Sequence, residues 1–93
     1  MSPLQFERDP TKATANLRKH EVSFEDAKTV FSDERALLID DPDHSQDEER
    51  FVLLGLSASL RLLVVVHCHR SGGNTIRLIS ARKANADEQG LYP

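Results

Sequence analysis

Three cations crowd into a short stretch late in the chain: Arg77, Arg82 and Lys83, within Thr75-Ile76-Arg77-Leu78-Ile79-Ser80-Ala81-Arg82-Lys83-Ala84. Guanidinium groups on a rigid backbone suit phosphate, because arginine offers planar, paired donors that match oxyanions. The same groups suit an acidic protein surface, so the cations alone leave both readings open. The residues around them predict a strand over 75–80, since β-branched and aliphatic side chains fit a pleated surface. Alternation sends Ile76, Leu78 and Ser80 one way and Arg77 and Ile79 the other. Ile76, Leu78 and Ala81 cannot share a face in an unbroken strand. The strand is expected to end at Ser80 or Ala81, with Arg82 to Glu88 opening a helix.

Other residue types invite chemistry of their own. His67 and His69 face one side of a strand and would make half of a zinc site, whose remaining ligands would have to come from His20, His44 or Cys68. Cys68, however, alternates to the opposite side, and polar decoration of a strand end is the plainer reading. Cys68 lies in an apolar run, where a thiolate is disfavoured, so it makes a poor nucleophile. The acids and His44 between Asp40 and Glu49 lack the mid-loop glycine and closing glutamate of a calcium loop. A solvated turn fits them better. No metal and no cofactor is expected.

The rest of the chain must position these groups. Its 93 residues make one small domain, 1–93, with a net charge of −3 and only five Phe and Tyr together, so the core must be aliphatic. Charge is polarised: Asp40, Asp41, Asp43, Asp47, Glu48 and Glu49 form an acidic segment. No acid stands between Arg61 and Ala86, a span that also carries Arg70, Arg77, Arg82 and Lys83. A single cysteine forbids an internal disulfide and points to a reducing compartment. No apolar run is long enough to span a bilayer and the N-terminus lacks a signal pattern, so a cytoplasmic location with no membrane partner is expected.

A short strand is expected near Leu4–Glu7. Asp9 and Pro10 then cap a helix over 10–20 whose stripe is Ala13, Asn16, Leu17 and His20, with Arg18, Lys19 and His20 in its last turn. Ser23 caps a second helix, with Asp26 as its capping-box acid and Phe24, Ala27, Val30 and Phe31 as its stripe. Strands follow at 36–40, 50–56, 60–69 and 75–80, the last three joined by short turns into a meander. The expected fold is α+β: two N-terminal helices packed on a twisted antiparallel sheet of about four strands, with a short C-terminal helix.

Several blocks resemble the BrnT family of toxins: Phe6-Glu7-x-Asp9, Lys12, Asn16-Leu17-x-Lys19-His20-x-Val22-Ser23-Phe24-Glu25-x-Ala27, Val30-Phe31, Glu49-Arg50, Gly55 and Ile76-Arg77-x-Ile79-Ser80-Ala81-Arg82. The resemblance runs from Phe6 to about Tyr92. It implies a RelE-like fold and a ribonuclease of a type II toxin–antitoxin system that cleaves RNA without metal. It also implies a cognate BrnA-type antitoxin with a ribbon-helix-helix DNA-binding part, through which alone the toxin would reach operator DNA as a hetero-oligomer. Three departures stand out. Arg8 replaces the usual Trp, the tail is short and weakly basic, and Glu21 replaces a glycine, so the first helix must end other than in a left-handed turn.

Metal-free cleavage needs a base for the 2′-hydroxyl, an acid for the leaving oxygen and cations at the phosphate. Within the resemblance, Arg77 and Arg82 are the expected cations. Lys19, Arg50, Arg61 and Lys83 are further RNA contacts. His20, Glu88 and Tyr92 are candidates for proton transfer, His20 first because imidazole titrates nearest neutrality. A non-catalytic basic module that docks an acidic partner or the RNA backbone is the alternative.

Overall fold

A computed structural model describes residues 4–7, 9–39, 50–70 and 74–93. The elements run β1 (Gln5–Glu7), α1 (Pro10–His20), α2 (Phe24–Thr29) with a 3-10 turn at Val30–Ser32, β2 (Leu37–Ile39), β3 (Phe51–Leu56), β4 (Leu62–Arg70), β5 (Thr75–Lys83) and α3 (Ala86–Leu91). The sheet has five strands in the order β1-β5-β4-β3-β2, so the expected four-stranded antiparallel sheet is corrected on two counts. β1 joins as a fifth strand, and it pairs parallel to β5 through Gln5–Thr75, Phe6–Ile76 and Glu7–Arg77. The expected 41–49 loop lies outside the described residues, as do His44, Arg8 and most of the expected 71–74 turn.

Local chemistry accounts for the helices. The Asp9 carboxylate accepts from the Thr11 amide at 2.9 Å and Pro10 occupies the first turn of α1, where a missing N–H costs nothing. Ser23 Oγ accepts from the Asp26 amide and starts α2. Asp26 departs from its expected capping-box role. Its carboxylate accepts instead from Ser57 Oγ at 3.0 Å and Ser59 Oγ at 2.7 Å, bolting α2 to the β3–β4 turn. The end of α1 also differs from expectation. Glu21 itself takes the left-handed conformation (φ 58°, ψ 30°) and donates its amide to the Leu17 carbonyl. A side chain in that conformation costs about 1 kcal/mol that glycine would avoid.

Each sheet face carries a cluster. On one face, Leu63, Val65, Ile76, Leu78 and Ala81 pack under Val22, Phe24, Ala27 and Val30. On the other, Val52, Leu54, Val64 and Ala84 are joined by Ile39, Leu62, Val66 and Tyr92. Leu17, expected in the apolar stripe of α1, is half exposed, and Asn16 is the buried residue of that helix.

β5 does not stop at Ala81 but continues to Lys83, and the helix after it starts three residues later on an Asn85 cap. A bulge explains how Ala81 joins Ile76 and Leu78 in the core. Leu78 lies opposite His67 and Ser80 opposite Val66, leaving Ile79 unopposed. The extra residue resets the alternation.

Gly55 sits where the 3-10 turn crosses β3. A Cβ there would meet Val30 Cγ1 at 2.8 Å, Ala36 Cβ at 2.9 Å and the Asp33 carboxylate at 3.2 Å. Gly55→Ala is therefore expected to cost about 2 kcal/mol by overpacking. Denaturant midpoints would measure it. Emission from Tyr92, the one tyrosine in a chain without tryptophan, would report whether its contact with Asp33 shifts as well.

Candidate active site on strand β5

The bulge decides where the cations of β5 point. Arg77 and Arg82 are five residues apart and would face opposite sides of a regular strand. With Ile79 inserted, both face away from the α1–α2 layer, opposite Cys68 and Val64 respectively. Four strand positions separate those partners, which puts the two arginine Cα atoms about 13 Å apart.

Arg82 is held firmly. Its guanidinium donates to both oxygens of Glu88 at 2.7 Å each, in the bidentate geometry arginine favours. Glu88 also closes a capping box, accepting from the Asn85 amide while Asn85 Oδ1 accepts from the Glu88 amide. The hydrogen bond from Arg82 lowers the Glu88 pKa below the ordinary carboxylate value, against a smaller opposing effect of burial. Glu88 is thus held as a carboxylate. Arg77 is half-buried and forms no hydrogen bond or ion pair with another described residue. Lys83 is exposed at the strand end.

Tyr92 anchors the segment after α3. Its hydroxyl donates to Asp33 Oδ2 at 2.6 Å, an oxygen that also accepts from the Leu56 amide at 2.8 Å. The Leu56 and Tyr92 hydrogen bonds lower the Asp33 pKa, and the same contact raises that of Tyr92. Tyr92 therefore keeps its proton. In sequence Asp33 does no more than end the second helix, and an acid directly after a helical stripe is its only signal.

Lys19 and His20 lie elsewhere. With Lys12, Ala15, Asn16, Ile79 and Ser80 they line a groove of ≈ 250 Å³ between α1 and the bulged edge of β5. Asn16, 6 % exposed, holds this groove together. Its Nδ2 donates to the Ala81 carbonyl at 2.8 Å and the Val22 carbonyl at 2.9 Å, and its Oδ1 accepts from the Ala81 amide at 3.0 Å. In sequence Asn16 is one member of the α1 stripe. A lone amide among apolar positions was the available signal.

The other expected RNA contacts are dispersed. Arg61 donates to the Glu21 carbonyl at 3.0 Å and lies 4.0 Å from Asp26, bracing the α1–α2 corner. Arg50 is exposed just before β3. The structure thus brings Arg82 together with Glu88 and Lys19 with His20, and sets the two groups on different sides of β5.

The histidine pair is also rearranged. His69 is exposed, whereas His67 is 2 % exposed and so is no decoration of a strand end. It packs edge-on to Phe31 at 4.8 Å and beside Phe51 at 6.0 Å. Among the described residues no three His, Cys, Asp or Glu side chains converge. Burial pushes the His67 pKa down to about 4 from 6.5, with a smaller push from His69 and an opposing hydrogen bond at the Val65 carbonyl. Because the unfolded chain takes up this proton first, stability is intact above the unfolded value and falls as pH drops from 6.5 toward 4. The full loss is about 3 kcal/mol at about 1.4 kcal/mol per unit. The lowered carboxylates Asp33 and Glu88 lose their contribution only below their ordinary values of 3.8 and 4.5. Stability measured between pH 6.5 and 5 should therefore slope in the native chain and flatten in His67→Phe.

Comparison with known proteins agrees with this architecture. No match was found among curated proteins. The crystal structure of the Brucella abortus ribonuclease toxin BrnT superposes with a TM-score of 0.66 at 20% identity, covering 88% of this chain and 97% of that one. At that identity the likeness concerns the fold. The family model described as "Ribonuclease toxin, BrnT, of type II toxin-antitoxin system" matches residues 9–88, and this span contains α1, the whole sheet except β1, and the Arg82–Glu88 pair. The chain belongs to the BrnT family of ribonuclease toxins of type II toxin–antitoxin systems.

Proposed function

We propose that this chain is a metal-independent endoribonuclease that arrests translation by cleaving RNA in the cytoplasm, and that a cognate antitoxin neutralises it. The observation that carries the reading is the bulge in β5. It turns Arg77 and Arg82 to one side of a rigid inner strand, with Arg77 unengaged by any described residue. A phosphate can be met there by Arg77 without rearrangement of an existing pair.

The remaining roles follow from protonation. Glu88, held as a carboxylate, suits the base that draws the proton from the 2′-hydroxyl. Its bond to Arg82 must loosen or be shared as the scissile phosphate arrives. Tyr92, which keeps its proton, and the imidazole of His20 are the candidates to protonate the leaving oxygen. Lys19, Arg50, Arg61 and Lys83 would add backbone contacts, with Arg61 the most committed to its own fold. The antitoxin is expected to be a BrnA-type protein with a ribbon-helix-helix domain that alone touches operator DNA.

The test is induced expression with and without the neighbouring antitoxin gene, followed by RNA integrity and by cleavage of an oligoribonucleotide in excess EDTA. Growth arrest, EDTA-resistant cleavage and rescue by the antitoxin are expected. One observation favours a binding module instead, namely that Arg82 is already engaged by Glu88 in a bidentate pair. A salt-sensitive RNA complex that stays uncleaved would establish that reading.

A further inference from the structure

The groove between α1 and β5 has a composition that the fold does not require. Lys12, Asn16, Lys19 and His20 recur at the spacing of one helix face, so the stripe that Asn16 presses onto Ala81 must carry the other three along it. Of these, Lys12 and Lys19 are exposed, His20 is half-buried, and no carboxylate is among the lining residues. Cations in the last turn of α1 complement its dipole, which explains Lys19 and His20. It does not explain Lys12, which stands in the first turn, where a positive charge is unfavourable.

The opposite wall is equally suited to a polar ligand. β1 leaves β5 after Arg77, and Asn16 takes over as hydrogen-bond partner at Ala81, so residues 78–80 have no described strand on that edge. The bulge falls in this gap, and Ile79 and Ser80 line the groove there. Two ammonium groups therefore line a trough open at the edge of the strand whose other side carries Arg77 and Arg82.

We infer that this groove is a binding subsite for a backbone phosphate of single-stranded RNA, with Lys12 and Lys19 as its charges. The inference rests on the ribonuclease reading and extends it: the RNA strand passes over the β5 edge, one phosphate held in the groove and the scissile one at the arginines. Lys12 binds and does not take part in proton transfer.

The probe is an uncleavable 2′-O-methyl single-stranded oligomer, with affinity followed by fluorescence anisotropy across a salt series. Lys12→Ala is expected to weaken binding severalfold and to reduce the magnitude of the log–log salt slope by about 0.7, the value of one single-strand phosphate contact. Arg18→Ala, on the outer side of α1, should change neither. An unchanged affinity and slope in Lys12→Ala would overturn the subsite, as would equal losses in Lys12→Ala and Arg18→Ala, which would mean a response to net charge. So would a Lys12→Ala loss confined to antitoxin capture, which would make the groove a protein surface. Cleavage fails independently of this test: a wild-type chain that binds through Lys12 but cuts nothing would remove the nuclease reading and leave the subsite.

Discussion

Arg77→Ala is expected to lower RNA cleavage by a factor of about 10² to 10³, the usual loss on removing one preorganised donor from a developing charge. Its effect on stability should be small. Arg77 has no described partner to abandon, and the strand around it is held by Ile76 and Leu78, both 1 % exposed. Loss of activity with an unchanged denaturation midpoint would thus separate function from fold. Arg82→Ala is a less clean change, since it also strips Glu88 of its paired donors and disturbs the start of α3. Arg82→Lys keeps a charge but abandons the fork, so it should recover little activity. Growth arrest in cells and cleavage of an oligoribonucleotide in vitro would both be read. Full toxicity in both Arg77→Ala and Arg82→Ala would sink the β5 site.

Asn16→Leu is expected to cost about 3 to 4 kcal/mol. The leucine nearly matches the volume of the amide but strands three backbone groups in a buried place: the Ala81 amide, the Ala81 carbonyl and the Val22 carbonyl. Each such orphan costs about 1–3 kcal/mol when water cannot reach it. Against a total of about 5–10 kcal/mol for a domain of this size, the variant should be close to unfolded at 37 °C. Asn16→Asp gives an internal control. The carboxylate can still accept from the Ala81 amide but faces two carbonyl oxygens, so this variant should be least stable at neutral pH and recover as the acid protonates. Urea denaturation across pH would measure both. A loss below about 1 kcal/mol in Asn16→Leu would mean that water or a neighbour replaces the amide, against the buried geometry.

Much of this fold could be read locally. Asp9, Pro10 and the basic last turn place α1 at 10–20, and Ser23 places the start of α2, because capping depends on residues within one turn. The meander of β3, β4 and β5 follows from apolar runs separated by short polar turns. What escaped depends on partners distant in sequence. β1 is three residues long and gains its identity only by pairing with Thr75–Arg77. The bulge at Ile79 is invisible to an alternation rule applied to one strand. The conflict among Ile76, Leu78 and Ala81 did announce it, since the three share a face only when the strand is interrupted. His67 looked like surface decoration because nothing adjacent foretold Phe31 against its ring. For the site, the cations of β5 were legible as residue types, but their common direction was not. The pairing of Arg82 with Glu88 needed the helix to begin at Ala86. Glu21 shows the opposite case: the residue type argued against a left-handed turn, and tertiary support from Arg61 at its carbonyl accompanies that turn nonetheless.

The parallel pairing of β1 with β5 has a kinetic side. Residues 5–7 wait for residues 75–77, and Asn16 waits for Ala81, so the inner strand of the sheet is recruited across most of the chain. Closing loops of that length before any contact rewards them makes assembly slow relative to helix formation, and places it late during synthesis, which proceeds from the N-terminus. The helical hairpin can form early but has nothing to clamp. Arg77, Arg82 and the groove wall at Ser80 come into register in the same late step that docks β5. A partly made chain therefore carries no assembled site, and the interval before β5 docks is one in which a partner can meet the nascent protein before it is able to act.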